Sequence, residues 1–596
     1  MAPCYPAGIV RLVETRLLEG PSVYRLEPVV KLEVAVGRRR TWYGQRDPGR
    51  HALVRLGASV PVADWPDPVV AVVAWIRRLR ADHVEGRGGL AVHRSSDPGH
   101  WIVTFPWLGA ERALTLTEAA IALAERDVSP SRTAQLTGAQ ERLLSRWTER
   151  LTTASATPPE WLRDADRRIP IVSISGTNGK STVTRLVTHV LLRAGRHVGT
   201  TTSDGVLVDE RMVEQGDWTG PGGAHRILAR RDVEVAVLET ARGGIVLRGV
   251  GYESNDASVL TNVSSDHLDL QGIHTLPELA EVKSTICRIT RSDGWVVLNA
   301  DDPLVAAVAR RVKASIALFT LQGDASAVVR RHRRRGGRAY LVRDGVILEA
   351  NGEGETRIVE VGRVPVTIGG LARHNVANVL AAAGAARGLG ATIVQVRAGL
   401  VDFAPSAEHS PGRLNLFRLG AKVVIVDFAH NEAGIGAVLE VAQGIAAGAA
   451  GRTAPITVII GTAGDRPDDT LRGIGRIAAE RAQRVAIKQT LGYLRGRTAE
   501  SVVGELLAGV VAGGMSASDI PVYQSETEAL QAELNGAAGA GAHGGRPGAA
   551  RIVVMMCHED RDGVFDLLKR LGARPVDVST ELAELIPRLQ GRPRRD

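Results

Sequence analysis

The chain has 596 residues, too many for one hydrophobic core, and its 44% hydrophobic and 23% charged residues are typical of a globular protein with roughly two to four domains. The net charge of +9 comes mainly from arginine, but acidic residues are interspersed and only 4% of the residues are aromatic, which favours a compositional bias over a nucleic-acid-binding surface. No apolar run could span a membrane, no signal peptide is visible, and Cys4, Cys287 and Cys557 are too far apart for a disulfide framework or a metal motif. We therefore expect a cytoplasmic protein without membrane or nucleic-acid partners.

Residues 1–160 contain no phosphate-binding loop, and their pattern predicts a small α+β domain. The predicted elements are strands at 31–36, 91–93 and 101–105, a turn at 97–99 between the last two strands, and a helix at 111–125. The proline-containing segment 154–159 is predicted to be a linker to the next domain.

From residue 161 onward, apolar runs alternate with helical patterns, which predicts parallel strands joined by crossover helices and hence a doubly wound α/β domain over 161–409. Its predicted strands are 169–175, 233–239, 257–262 and 295–299. A second alternating set over 410–596 has predicted strands at 423–427, 456–460, 484–488 and 551–557, and a Gly- and Ala-rich surface loop at 535–549.

The most informative motif follows the first strand of the second domain. It consists of Gly176, Thr177, Asn178, Gly179, Lys180, Ser181 and Thr182. Glycines let backbone N–H groups face phosphate oxygens, Lys180 can reach the terminal phosphates, and the Ser181 hydroxyl can ligate Mg²⁺. Residues 183–191 then carry an apolar stripe with helical spacing. The order of strand, glycine-rich turn, Lys-Ser and helix predicts a P-loop.

Glu239 ends the next strong apolar run of this domain. The carboxyl end of a parallel strand lies on the edge of the sheet where phosphate ligands bind. One carboxylate is enough for Mg²⁺, which also takes phosphate and water oxygens. Alone, Glu239 could equally be a helix cap or a salt-bridge partner, but beside a P-loop it is predicted to be a metal ligand.

The P-loop departs from the general pattern because Ile174 stands where the long form has its first glycine. The short form, Gly-Thr-Asn-Gly-Lys-Ser, resembles that of the Mur ligase superfamily, the ATP-dependent amide ligases of cell-wall and folate metabolism. Other segments match motifs of the same superfamily: 261–269, 298–303, 369–378, 411–413 and 426–431. The resemblance implies an α/β protein with a P-loop central domain and a Rossmann-like C-terminal domain.

The resemblance also implies roles for single residues, with ATP and Mg²⁺ as cofactors. The implied catalytic residues are Lys180, His267, Lys283 and Arg413, and the implied metal ligands are Ser181, Glu239, His267 and Lys283, the last of these carbamylated. The residues implied around the adenine are Asn299, His374, Asn375 and Asn378, while Arg413 and Asp427 would contact the nucleotide from the mobile C-terminal domain. As isolated sequence features, the adenine-pocket residues could each be part of a turn or a helix cap. Phe428 and Glu432 depart from the usual Tyr and Pro.

A narrower resemblance points to the cyanophycin synthetase branch of the superfamily. Its motifs are 18–21, 93–100, 201–205, 216–221, 239–244, 411–417 and 464–466. In that branch an ATP-grasp domain adds Asp to the polymer backbone and the Mur part adds Arg to the Asp side chain. Here residue 160 passes directly into the Mur-like region, so the chain is not expected to make the whole polymer alone. The acidic residues that follow the equivalent of Lys488 are replaced by residues 489–493, so arginine need not be the amine.

These resemblances imply an ATP-dependent ligase that forms a peptide or isopeptide bond through an acyl phosphate, adding an amino acid or related amine to a carboxylate of an amino-acid or peptide substrate. The alternative is a nucleotide-binding subunit that works with a separate ATP-grasp ligase. Folylpolyglutamate synthetase-like chemistry is disfavoured, because the substrate-loop motifs resemble those of cyanophycin enzymes. The sequence does not determine the oligomeric state, and a homo-oligomer is one alternative.

Overall fold

The computed structural model describes residues 9–37, 56–83, 89–265, 268, 270–448, 454–536, 551–578 and 580–581. Within these residues the strands form three larger sheets, of four, eleven and seven strands, in chain order. We call the parts of the chain built on them the N-terminal, central and C-terminal units. None of the helices in the described part of the chain is long and apolar enough to cross a membrane.

The N-terminal unit is a four-stranded antiparallel sheet with helices packed against it. Its strands are β1 (Ile9–Leu18), β2 (Val29–Gly37), β3 (Ala91–Arg94) and β4 (His100–Pro106), in the order β1-β2-β4-β3, and its helices are α1 (Asp67–Asp82), α2 (Ala110–Glu125) and α3 (Gly138–Thr153). The α+β prediction is confirmed, as are the strands around 31–36, 91–93 and 101–105 and the helix at 111–125. Strand β1 and helix α1 were not predicted.

The central unit is one eleven-stranded mixed sheet. Its strands are β5 (Ile171–Ser175), β6 (Val198–Thr201), β7 (Gly205–Val208), β8 (Arg211–Gln215), β9 (Val235–Glu239), β10 (Asn255–Leu260), β11 (Thr290–Asn299), β12 (Ser315–Thr320), β13 (Arg338–Arg343), β14 (Val346–Asn351) and β15 (Gly354–Glu360). Their order is β15-β14-β13-β12-β11-β10-β5-β9-β6-β7-β8, with parallel pairing from β13 through β6 and antiparallel hairpins at both ends. The parallel core confirms the predicted doubly wound pattern.

Helices cover both faces of this sheet, which explains why successive residues of its central strands are buried rather than alternately buried and exposed. The helices are α4 (Lys180–Arg193), α5 (Pro221–Leu228), α6 (Arg242–Arg248), α7 (Leu276–Lys283), α8 (Thr285–Arg288), α9 (Pro303–Ala307), α10 (Ala327–Arg333), α11 (Arg373–Gly388) and α12 (Ile393–Asp402). All five residues of β5 are buried, and the apolar stripe of α4 packs against β5 and β9 in one core cluster.

The C-terminal unit is a second, smaller parallel sheet with an antiparallel edge. Its strands are β16 (Asn415–Leu419), β17 (Lys422–Asp427), β18 (Ile456–Ile460), β19 (Arg484–Lys488), β20 (Val522–Tyr523), β21 (Arg551–Met556) and β22 (Arg574–Pro575), in the order β20-β19-β18-β21-β17-β16-β22. Its helices are α13 (Glu432–Gly448), α14 (Asp468–Arg481), α15 (Ala499–Ala512), α16 (Glu526–Asn535) and α17 (Arg561–Arg570). The four predicted strands are confirmed; the predicted 535–549 loop, apart from its first two residues, lies outside the described residues.

The N-terminal unit contacts the central unit through backbone and side-chain hydrogen bonds. Val250 N donates to Pro21 O over 2.8 Å, and the Arg248 guanidinium lies 2.7 Å from the Glu19 carboxylate. On the turn between β3 and β4, Asp97 accepts a hydrogen bond from His274 Nε2 over 2.8 Å. The N-terminal unit therefore lies against the segments after β9 and before α7, next to the edge of the sheet that carries the P-loop motif.

Candidate active site

The carboxyl ends of the parallel strands of the central unit bring the sequence motifs to one edge of the sheet. The P-loop motif follows β5, Glu239 ends β9, and Thr261 follows β10. Asn299 ends β11, and the N-terminus of α11 approaches the same edge. Open α/β sheets bind ligands in the crevice outside these strand ends. The C-terminal unit faces this edge through Arg413 and the residues that follow β17.

The P-loop motif turns so tightly that two of its positions require glycine. Gly176 has φ +150° and Gly179 has φ +86°, both in the region that side chains rarely adopt. A Cβ at Gly176 would lie 1.8 Å from Thr261 Oγ1, and one at Gly179 would lie 2.3 Å from Asn378 Oδ1. The loop is therefore pressed against the end of β10 on one side and against α11 on the other.

Hydrogen bonds from the segment after β10 fix the shape of the loop. Asn178 N donates to Asn262 Oδ1 over 2.9 Å, and Asn262 Nδ2 donates to Asn178 O over 3.0 Å. Lys180 Nζ donates to Thr177 O over 2.9 Å. Helix α4 begins at Lys180 without a side-chain cap, so its first N–H groups, including those of Ser181 and Thr182, are oriented to receive an anion.

Glu239 is a buried carboxylate with an unsatisfied oxygen. Its side chain is 3% exposed, and among the described residues its Oε2 has no hydrogen-bond partner. Burial raises the pKa of Glu239, although the charges of Lys180 and Arg413 and a hydrogen bond with Ser181 act in the opposite direction. A buried acceptor without a partner, beside a serine hydroxyl and a phosphate-type loop, matches the oxygen donors that a divalent cation prefers.

Arg413 reaches from the segment before β16 to the P-loop. Its Nη2 lies 3.4 Å from Ser181 Oγ and 3.5 Å from Ser203 Oγ. The guanidinium also lies over the ring of Phe428, 4.7 Å from its centroid, a cation–π arrangement that orients the charge. Arg413 is thus a cation that the C-terminal unit brings to the P-loop.

A cavity of about 350 Å³ lies between the central and C-terminal units, within the size range of small-ligand pockets. Predicted site residues that line it are Asn178, Gly179, Thr182, Asn299, His374, Asn375, Asn378, Arg413 and Asp427. The asparagine amides are largely engaged: Asn375 Nδ2 donates to Val366 O over 2.9 Å, and Asn378 Nδ2 donates to Asn375 Oδ1 over 3.0 Å. These amides hold the wall of the cavity in place.

The Asp427 carboxylate is hydrogen-bonded to backbone N–H groups next to Arg413. Its two carboxylate oxygens accept hydrogen bonds from Leu414 N and Ala429 N, each over 2.8 Å. Burial raises the pKa of Asp427, and the nearby Arg413 charge opposes that rise. Because Leu414 adopts a φ of +54°, this anchoring carboxylate stabilises an unfavourable backbone conformation directly beside Arg413.

Two of the predicted metal ligands, Lys283 and His267, are assigned to a second metal ion. Lys283 is buried at the end of α7, and its Nζ donates to Gly176 O over 2.8 Å, which places the side chain beneath the phosphate-type loop. His267 lies outside the described residues.

A pair of asparagines joins the two units across the cavity, and the two motifs that contain them did not predict this contact. Asn178 Nδ2 donates to Asn431 Oδ1 over 3.3 Å, and Asn431 Nδ2 donates to Asn178 Oδ1 over 3.0 Å. Asn431 is fully buried between the end of β17 and the start of α13. The two asparagines are 253 positions apart in the sequence, so only the tertiary structure reveals their reciprocal hydrogen bonds.

His374 is expected to make the stability of the protein depend on pH. Burial lowers its pKa to about 4, so the unfolded chain binds more protons at this residue between pH of about 6.5 and about 4. Stability rises with pH wherever the unfolded state binds more protons, so the free energy of unfolding should fall as the pH decreases through this window. Urea denaturation at about pH 7 and about pH 5 should give a smaller decrease for His374→Gln than for the unmodified protein, and equal decreases would contradict the assignment.

Comparisons with known proteins match the central and C-terminal units to two domains of one family. The Mur ligase middle domain matches residues 174–386, and the Mur ligase glutamate ligase domain matches residues 412–555. Over 381 residues the chain is 40% identical to the cyanophycin synthetase of Crocosphaera subtropica, which covers 63% of this chain and 42% of that protein. The cyanophycin synthetase of a Nostoc species is 42% identical over 338 residues, 56% of this chain and 37% of that protein.

A further relative is less similar in sequence. The UDP-N-acetylmuramoyl-L-alanyl-D-glutamate–2,6-diaminopimelate ligase of Alkalilimnicola ehrlichii is 31% identical over 336 residues, 54% of this chain and 61% of that protein. The matched part of the chain spans less than half the length of the cyanophycin synthetases.

Proposed function

Because the chain belongs to the Mur ligase superfamily, we propose that it is an ATP-dependent ligase that joins a carboxylate to an amine as an amide. The observation that carries the proposal is the approach of Arg413, from the C-terminal unit, to within 3.4 Å of Ser181 on the P-loop. The cations Lys180 and Arg413, from different units, then flank one phosphate-binding turn, an arrangement that would stabilise the charge on a transferring phosphoryl group.

The domain boundaries that we propose follow the three sheets: 1–160, 161–409 and 410–596. Each unit has a buried core that consists mainly of its own residues, which supports treating it as a separate domain. The nucleotide would bind between the second and third domains, with residues 176–182 around its phosphates. Asn299, His374, Asn375 and Asn378 would surround the adenine, and Asp427 would contact the nucleotide from the third domain, supported by their positions in the wall of the cavity.

Magnesium is the metal that we propose for this site. Ser181 and Glu239 would hold one Mg²⁺, supported by the buried, unpartnered oxygen of Glu239, and His267 with a carbamylated Lys283 would hold a second. When bound, the metal would neutralise charge on the phosphate oxygens. Lys180 and Arg413 would supply the remaining positive charge from the chain itself.

The proposed reaction proceeds in two steps. A carboxylate oxygen of the acid attacks the γ-phosphorus of ATP, the bond to the β-phosphate oxygen breaks, and ADP and an acyl phosphate form. The amine nitrogen then attacks the acyl carbon, the carbon–oxygen bond to phosphate breaks, and the nitrogen loses a proton as the amide forms. Lys180 and Arg413 stabilise the charge on the transferring phosphoryl group, and contact between the two domains excludes water from it.

The substrates that we propose are small amino-acid or peptide-like acids and amines, by analogy with the named relatives. The contact of the N-terminal unit with the segments after β9 and before α7 supports a role for that unit in presenting the acid. A separate ATP-grasp protein that supplies the acid is the partner to test, because ATP-grasp enzymes extend peptide-like backbones in the cyanophycin branch.

The test is a phosphate-release screen with pairs of acids and amines. Aspartate-containing dipeptides and longer oligomers are combined with arginine, lysine and neutral amino acids, and the product is identified by a mass equal to the sum of both substrates minus water. Phosphate release that requires both substrates supports the ligase. ATP binding without turnover for any pair, with or without an ATP-grasp protein, would instead support the nucleotide-binding subunit.

A further inference from the structure

Asp204, in the turn between β6 and β7, forms an ionic contact between the central and C-terminal units. Its side chain is 7% exposed, and its Oδ2 lies 2.9 Å from Arg185 Nη2 on α4. Its Oδ1 lies 2.6 Å from Arg561 Nη1, at the start of α17 in the C-terminal unit. One buried carboxylate therefore pairs with an arginine from each unit.

Both arginines also bind the segment that leads to Arg413. Arg185 Nη1 donates to His409 O over 2.5 Å, and Arg561 Nη1 donates to Pro411 O over 3.2 Å. These carbonyls lie four and two residues before Arg413. A Cβ at Gly412 would lie 3.0 Å from Arg561 Cδ, so the segment packs closely on this side chain. Asp204 thus orients two guanidinium groups, each of which fixes one carbonyl of the same short segment.

The charges around Asp204 agree with this role. Burial disfavours the ionised form of Asp204, but the charges of Arg413, Arg561 and Arg185 together hold its pKa below the ordinary value. Removing a buried carboxylate that is surrounded by guanidinium groups destabilises the protein, because the remaining cations lose their compensating charge. Asp204 does not itself line the cavity that is assigned to the nucleotide.

We propose that Asp204 is a positioning residue, which fixes residues 409–412 through Arg185 and Arg561 and thereby holds Arg413 over the P-loop when the two units are together. This inference rests on the proposed function, because it assigns Arg413 to the transferring phosphoryl group. It also predicts a structural effect that can be measured without any turnover.

The variant to test is Asp204→Asn, which keeps the size of the side chain and removes its charge. We expect kcat to fall about 10- to 100-fold while the KM for ATP changes by less than about threefold, because the P-loop is intact but Arg413 is misplaced. The matched control is Glu349→Gln, which neutralises a buried carboxylate paired with Arg387 over 2.7 Å inside the central unit. The control should retain the kcat of the unmodified protein.

A distance measurement separates this inference from the proposed function. Spin labels on cysteines introduced at the exposed Val394 and Val522, in a protein with Cys4→Ser, report the separation of the two units in the presence of a non-hydrolysable ATP analogue. We expect one narrow distance distribution for the unmodified protein and for Glu349→Gln, and a broader or longer one for Asp204→Asn. Arg561→Gln should reproduce that change, and combining it with Asp204→Asn should add little.

Two outcomes would overturn the role of Asp204. One is an unchanged distance distribution in Asp204→Asn, and the other is a kcat within about threefold of the unmodified protein. If no substrate pair gives turnover in the unmodified protein, the ligase proposal fails, while the distance measurement still decides whether Asp204 holds the units together.

Discussion

Lys180→Ala is expected to reduce substrate-dependent phosphate release by about a thousandfold. The Lys180 ammonium donates to Thr177 O inside the phosphate-binding turn, so its charge is already held where the terminal phosphates would lie. Preorganised cations at a transferring phosphoryl group act mainly on the transition state, so the loss should appear in kcat. The measurement is the initial rate of phosphate release at saturating ATP with the best substrate pair.

The control for this prediction is Lys313→Ala, which removes an exposed lysine from the same unit. This variant should leave the rate of phosphate release unchanged, which would show that the loss of a positive charge elsewhere in the unit does not affect that rate. Thermal unfolding should be similar for both variants and for the unmodified protein. If Lys180→Ala kept more than about a tenth of the rate, the P-loop would not be the site of phosphoryl transfer.

Glu239→Gln is expected to have opposite effects on activity and on stability. Activity should fall by more than about a hundredfold, because the variant loses the carboxylate that we propose as a metal ligand. The unliganded protein should be at least as stable as before, because burial raises the pKa of Glu239 and the charged form is therefore unfavourable in the folded state. Residues that reduce stability in return for function are common at active sites.

The pH dependence of the free energy of unfolding tests whether Glu239→Gln stabilises the protein. A carboxylate whose pKa is raised on folding stabilises the protein below its ordinary pKa of about 4.3 and loses that contribution as the pH rises. The stability gained by Glu239→Gln should therefore be largest near neutral pH and should shrink as the pH falls toward about 4. Urea denaturation without nucleotide measures it.

Glu349→Gln is the matched comparison, since its carboxylate is also buried but is paired with Arg387, so this variant should be destabilised. If Glu239→Gln were destabilised by a similar amount, the prediction would be wrong, and the Glu239 carboxylate would have a stabilising interaction as strong as the ion pair of Glu349.

Much of the central unit could be predicted because its signals are local. The mostly apolar β5, the glycines at 176 and 179 and the apolar stripe of α4 are adjacent in sequence, and each fits the geometry that the structure has. Glu239 could be predicted for a similar reason, since the end of a parallel strand fixes its position on the sheet. The hairpins that extend the sheet were not predicted, because antiparallel edge strands carry weaker and shorter patterns.

Contacts between units could not be predicted from sequence patterns. The stacking of Arg413 on Phe428 depends on the direction in which the chain enters β16, which no local pattern specifies. The same holds for the pairing of Asp204 with Arg561, residues 357 positions apart. The asparagines around the cavity were predicted as adenine contacts, but much of their hydrogen-bonding capacity stabilises the protein itself.

The reciprocal pair of Asn178 and Asn431 has a consequence for how the protein responds to ionic strength. Neutral amides are insensitive to added electrolyte, and the carboxylate of Asp204 is buried deeply enough that dissolved ions screen its pairs only weakly. The association of the two units should therefore persist in concentrated salt. A decline in rate as salt is raised would report instead on weaker binding of the charged substrates.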